Sequence, residues 1–137
     1  MITQSDIDKL SYKIIGCAIE VHKSLGPGLL ESVYETCLID EMVTKGLSVK
    51  SQVYLPINYK NKNLGGQLKL DILVNDLIIL ELKAVEAMIP LYKAQLLSYL
   101  KLANKPKGLL INFNCENITE HLCSLVTEEF SKLPKSL

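Results

Sequence analysis

The sequence predicts a single mixed α/β domain: a four-stranded mixed sheet flanked by helices. Three observations predict it. Apolar residues recur at helical spacing near the N-terminus and again around residue 95. Between these segments lie short runs of alternating or continuous Leu, Ile and Val, bounded by Gly, Asn and Pro. Three such runs follow one another without a helix, and a fourth comes after one. That order implies an antiparallel meander and then a right-handed crossover to a parallel neighbour. The 137 residues suit one core, and no repeat or long linker divides residues 1–137.

Residues 5–25 read as the first helix. Ser5 is placed to cap it, Asp6 and Asp8 lie in its first turn, and Ile7, Leu10, Ile14, Cys17, Ala18, Val21 and Leu25 form its stripe. Gly26-Pro27-Gly28 stops it. Residues 29–45 read as a second helix, striped by Leu30, Val33, Tyr34, Cys37, Leu38 and Met42 and ended by Gly46. Residues 49–60 alternate, with Val49, Val53, Leu55, Ile57 and Tyr59 on one face. Pro56 marks an edge position or a bulge, and residues 61–66 are a turn. Residues 67–74 and 77–84 are strands around Asn75-Asp76. Residues 90–104 are a helix opened by Pro90, with Gln95 inside a stripe of Tyr92, Leu96, Tyr99 and Ala103. Residues 107–114 are the fourth strand, and 118–132 a final helix capped by Thr119.

Composition narrows the function. A hydrophobic content of 48% excludes a disordered chain. No apolar run approaches the roughly 20 residues of a membrane span, so no membrane partner is expected. The start, "MITQSDIDKL", lacks a signal-peptide pattern, and a cytoplasmic location is expected. Cys17, Cys37, Cys115 and Cys123 form no Cys-x-x-Cys pair and read as reduced structural thiols. His22 and His121 stand alone and read as core or surface residues. The 15 basic residues are all lysines, balanced by 15 acidic ones. Without Arg or a basic excess, a dedicated high-affinity DNA reader is disfavoured, while a phosphate held by metal and a few lysines is not.

The stretch "LDILVNDLIILELK" (70–83) sets Asp71, Glu81 and Lys83 among core residues. Alternation makes Leu68, Leu70, Ile72 and Val74 one face and Gln67, Lys69, Asp71 and Leu73 the other. Register then decides the outcome. A two-residue turn pairs Val74 with Leu77 and separates the carboxylates onto opposite faces. A three-residue loop or a bulge pairs Val74 with Ile78 and sets Asp71 across from Glu81, about 5 Å apart at Cβ. The second is preferred, because it unites the apolar residues on one face. A solvated face with Lys69 diagonal to Glu81 and Asp71 to Lys83 competes with a functional reading. Against it, Leu77-Ile78-Ile79-Leu80 is apolar at consecutive positions, which implies a strand covered on both faces and charges gathered at its end. Two carboxylates and a carbonyl make a hard oxygen site suited to Mg²⁺ or Mn²⁺. Lys83 shares the face of Glu81 and can orient a water or offset charge developing on a phosphate.

Asp71 followed by Glu81-Leu82-Lys83 resembles the D…E-x-K signature of the PD-(D/E)XK nuclease superfamily. "GPGLLESVYE" (26–35) contains Gly28, Glu31 and Tyr34 at the spacing of the GxxExxY proteins of that superfamily. "DILVNDLIILELKAVE", "AQLLSYLK" and "GLLINFN" are similar to other blocks of the same family, over roughly residues 7–114. The resemblance implies a restriction-endonuclease-like core. It makes Asp71, Glu81 and the Leu82 carbonyl metal ligands, Glu31 a further or water-mediated one, and Lys83 the catalytic lysine. It sets Gln95 beside the site, with the amide read as buried, and Tyr34, Tyr99 and Lys69 as substrate-side residues. Local pattern alone makes Glu31 a helix-dipole carboxylate and the tyrosines core. Lys69 stands where the family often has Arg and Tyr92 where it often has His.

Two functions follow from different classes. One is a metal-dependent nuclease that hydrolyses DNA or RNA with a metal-activated water, using Mg²⁺ or Mn²⁺. The alternative is a catalytically inactive nuclease-fold protein that binds a nucleic acid or protein partner. A homo-oligomer is compatible with either.

Overall fold

A computed structural model describes residues 1–66 and 68–137; Gln67, expected at the start of a strand, lies outside them. Two helices, α1 (Gln4–Leu25) and α2 (Glu31–Thr44), precede strand β1 (Val49–Leu55). A small ribbon of β2 (Asn58–Tyr59) and β3 (Lys62–Asn63) leads to β4 (Leu68–Val74) and β5 (Ile78–Lys83). Helix α3 (Pro90–Ala103) crosses to β6 (Lys107–Asn112), and the chain ends with a 3₁₀ turn (Ile118–His121), β7 (Leu122–Val126) and α4 (Glu128–Ser131). The main sheet has the order β1-β4-β5-β6-β7. β1, β4 and β5 are antiparallel neighbours, β5 and β6 are parallel, and β7 returns antiparallel to β6. The expected meander and parallel crossover are both present.

The sheet is covered on both sides. Ile72, Val74, Ile78, Leu80 and Leu82 pack with the buried stripe of α1 and with Tyr34, Leu38 and Met42 of α2. Leu70, Leu73, Ile79 and Leu110 pack with Leu96 and Leu100 of α3. The continuous apolar run of β5 is thereby explained: its alternate side chains enter two different cores. Among the described residues, no helix is long and apolar enough to cross a membrane.

Four expectations are corrected. The first helix is capped by Thr3, not Ser5: the Thr3 hydroxyl accepts from the Asp6 N–H and the Asp6 carboxylate accepts from the Thr3 N–H. The single strand 49–60 ends at Leu55, and Asn58–Tyr59 begins a separate ribbon. Strict alternation in β1 and β4 also fails: Leu70 packs on the α3 side while Ile72 and Val74 pack on the α1–α2 side, which divides the expected face of Leu68, Leu70, Ile72 and Val74. Gln52 has φ +52, a left-handed conformation, so Val49 packs on the α1–α2 side and Val53 and Leu55 on the α3 side. Residues 118–132 are not one helix. Asn117 caps a 3₁₀ turn by accepting from the Thr119 N–H, and Leu122–Val126 adds a fifth strand that pairs the otherwise open edge of β6.

Candidate metal-binding carboxylate site

The site arises where β4 and β5 part. Their ladder pairs Val74 with Ile78, Leu73 with Ile79 and Ile72 with Leu80. A three-residue loop sets this register, with Asn75 at φ +50 and Asp76 at φ +58, conformations that Asn and Asp tolerate best. The next pair in register is Asp71 and Glu81, and there the ladder stops. The side chains take over the bonding. The Leu82 N–H donates to Asp71 Oδ2 at 2.9 Å, and the Asp71 N–H donates to Glu81 Oε1 at 3.3 Å. Each carboxylate thus spends one oxygen on a backbone N–H, and the two side chains face each other. Strand alternation turns the Leu82 carbonyl to the same side as its N–H, toward the gap. Of the two open registers, the protein uses the one that unites the carboxylates.

Opposite the gap on β1 is Gln52, whose left-handed conformation removes it from the ladder between Ser51–Ile72 and Val53–Leu70. Its amide nitrogen donates to Glu35 Oε1 at 2.7 Å, tying α2 to β1 beside the site. Glu31 is the first residue of α2. The residue is exposed, yet its carboxyl is pushed above the ordinary range, first by partial burial and then by the Asp71 charge, while Lys83 pulls it down. Glu31, Asp71 and Lys83 therefore share one electrostatic neighbourhood, contributed by α2, β4 and β5.

Glu81 is the most perturbed group. It is 6% exposed, and burial, followed by the Asp71 charge, pushes its carboxyl up to about 8. Two carboxylates this close in low dielectric demand a proton or a cation between them. Lys83 does not close an ion pair with either; its Nζ lies over the Tyr92 ring, 4.5 Å from the centroid. The solvated, salt-bridged face considered from sequence is thus not what forms. The described ion pairs lie elsewhere, at Lys105–Asp76, Lys107–Asp8 and Lys132–Glu129.

The remaining candidates divide. Tyr34 is fully buried, stacks on Phe113 with centroids 4.6 Å apart, and donates to the Gly26 carbonyl at 2.6 Å while accepting from the Leu29 N–H. It braces the loop that delivers Glu31 and presents nothing to a substrate. Gln95 is exposed rather than buried; its amide donates to the Tyr99 hydroxyl at 2.9 Å, one turn along α3, and not to either carboxylate. Tyr99 is half-buried against the α3-side core, and Lys69 is exposed on β4 opposite Tyr54. His22 is a satisfied core residue bonded to the Cys115 carbonyl, and the four cysteines are free thiols.

Two supporting residues escaped sequence reasoning. Gln52 is one. The other is Asn112, buried at the end of β6 beside Lys83, whose amide bonds Val85 N–H and C=O and the Asn114 N–H. It fixes the chain as it leaves Lys83. An Asn inside an otherwise apolar strand was the available signal.

The donor set fits a hard divalent cation that keeps most of its water: carboxylate and carbonyl oxygens with uncompensated negative charge. Among the described residues no three Asp, Glu, His or Cys side chains converge into a metal cage. Mg²⁺ does not need one, since one or two carboxylates and substrate phosphates commonly hold it. A cleft of about 540 Å³ between α3 and the β7–α4 end contains none of these residues.

A family profile described as the PD-(D/E)XK nuclease superfamily matches residues 8–123, most of the chain. No curated protein matches the chain. The protein belongs to the PD-(D/E)XK nuclease superfamily.

Proposed function

We propose that this member of the PD-(D/E)XK nuclease superfamily is a divalent-metal-dependent phosphodiesterase acting on nucleic acid, of the GxxExxY type. The observation that carries the reading is the meeting of Asp71 and Glu81 where their strands part, with Lys83 on the next residue but one. Asp71, Glu81 and the Leu82 carbonyl would hold Mg²⁺ or Mn²⁺, with Glu31 reaching the same cation through water. The bound cation would supply Lewis-acid polarisation of a phosphoryl oxygen and a water of lowered pKa.

The chain's own residues do the rest. Glu81 would give up its proton to make room for a cation, because the cation offsets the Asp71 charge that helps to raise its carboxyl. The Leu82 and Asp71 N–H groups hold one oxygen of each carboxylate, so the other keeps a set direction. Lys83 keeps its ammonium unpaired by carboxylate and free to face charge building on the phosphate. Gln52–Glu35 and Asn112 hold α2 and the strand ends in place.

The second reading is a binding protein without catalysis, since one fold serves both roles. The test is Mn²⁺- and Mg²⁺-dependent cleavage of DNA and RNA oligonucleotides by wild type, Asp71→Asn and Lys83→Met. Cleavage lost in both variants supports the nuclease. Retained oligonucleotide binding without cleavage in wild type supports the binding protein.

A further inference from the structure

Charge is unevenly distributed along this neutral chain. Between Glu41 and Asp71 there are five lysines and no carboxylate. Four of these lysines, Lys50, Lys60, Lys62 and Lys69, lie in β1, the β2–β3 ribbon and the start of β4, whose described residues form an antiparallel arm; Lys45 caps α2. The β1–β4 ladder runs out to Leu55–Leu68, the Ile57 N–H donates to the Gly65 carbonyl, and Asn58–Asn63 and Tyr59–Lys62 complete the ribbon. Lys60 and Asn61 turn it, both with positive φ. The arm begins at Asp71 and reaches on the order of 30 Å from it.

Its surface is specific in character. Tyr54 and Tyr59 are 59% and 56% exposed, although neither needs to be in water. Tyr54 lies across the ladder from Lys69, Tyr59 across from Lys62, and the Lys60 ammonium sits 5.3 Å from the centre of the Tyr59 ring. Among the described residues, none of Lys60, Lys62 and Lys69 is paired with a carboxylate. Unpaired cations interleaved with exposed rings are the two elements of a single-strand platform: lysines follow the phosphates and bases stack on the rings. The absence of Arg removes the guanidinium fork most often used to read guanine, and leaves stacking and phosphate contact as the main means of holding a strand.

We propose that this arm, through Tyr54, Tyr59, Lys60, Lys62 and Lys69, is a binding platform for single-stranded nucleic acid that leads the strand toward Asp71 and Glu81. The inference deepens the nuclease reading and rests on it for the direction of the strand, but not for binding.

The test is fluorescence anisotropy with labelled oligo-dT, oligo-U and a duplex of equal length, in EDTA and over a range of salt. Wild type is expected to bind the single strands more tightly than the duplex. Lys60→Gln with Lys62→Gln should weaken binding and flatten the log–log salt slope by about 0.7 per lysine removed. Tyr59→Ala and Tyr54→Ala should each weaken binding about fivefold or more, with the slope unchanged. Lys9→Gln with Lys13→Gln, the same charge change on exposed α1 positions, should have no comparable effect. Asp71→Asn should bind at least as tightly as wild type, so loss of cleavage and loss of binding are separable. Preference for the duplex, indifference to the arm substitutions, or no binding at low salt would overturn the proposal.

Discussion

The two ends of the β4–β5 hairpin are built from the same strands and behave oppositely. At the loop end, Ile72–Leu80, Leu73–Ile79 and Val74–Ile78 satisfy one another through the backbone ladder, and their side chains are almost wholly buried in two cores. One residue further, Asp71 and Glu81 stand in the same register, but side-chain oxygens replace the carbonyls as acceptors. The loop end is a place where burial stabilises. The open end is a place where burial leaves two carboxylates without a counter-ion, and stability is lower in exchange for a site that favours a cation. The lesson is that an identical register can yield a core or a reactive centre, depending on whether the residues placed there can finish the ladder.

Substitutions can break or sharpen that contrast. The largest effect is expected from Asp71→Asn at the open end: metal-dependent cleavage should fall by about a hundredfold or more, with circular dichroism unchanged, as removal of a charge-stabilising group does elsewhere. At the loop end, Leu80→Ala should lower unfolding free energy by about 2–5 kcal/mol in urea titrations, because a fully buried leucine leaves a cavity. A milder cost there would show that the ladder end is not tightly packed.

Glu81→Gln should do the reverse and stabilise. Burial raises the Glu81 carboxyl from an unfolded value of 4.5 to about 8, so between those pH values the folded protein holds a proton that the unfolded chain has released. Wild-type stability should therefore be greatest below about pH 4.5 as far as this group is concerned, and fall as pH rises through 8. Glu81→Gln should flatten this slope and gain up to about 5 kcal/mol at pH 9, read from urea midpoints across pH. A wild-type midpoint that does not fall between pH 5 and 9 would mean that the carboxylates are not in conflict. The smallest effect is expected for Tyr92→Leu, which removes the ring under Lys83: about 0.5–1 kcal/mol of stability, with a reduced cleavage rate at unchanged metal affinity.

The contrast between the two ends was largely legible in the sequence. The apolar residues on either side of Asn75-Asp76 share a face only in the register that pairs Val74 with Ile78, and that register carries Asp71 to Glu81. What was not legible depends on single side chains acting across distance. The turn of Gln52 into a left-handed conformation, its bond to Glu35, and the Asn112 clamp on Val85 leave no periodic trace. Gln95 sits at the spacing of an apolar stripe, but α3 buries only a narrow line through Leu96 and Leu100, so the amide lies in water. Residues 118–132 carry Leu, Val and Phe at spacings that serve a helix, yet Leu122–Val126 is drawn into the sheet by the free edge of β6. An edge strand half in water has little alternation of its own to announce it.

The central claim is that Asp71 and Glu81 are held together to receive a divalent cation. The most direct test is titration calorimetry of Mn²⁺ into wild type and into the Asp71→Asn/Glu81→Gln double variant at pH 7, in two buffers of different ionisation enthalpy. The account predicts one site in wild type, with a proton released to buffer from Glu81, and no binding in the double variant. Heat of the same size in both proteins, or none in wild type at millimolar Mn²⁺ with and without a single-stranded oligonucleotide, would contradict it.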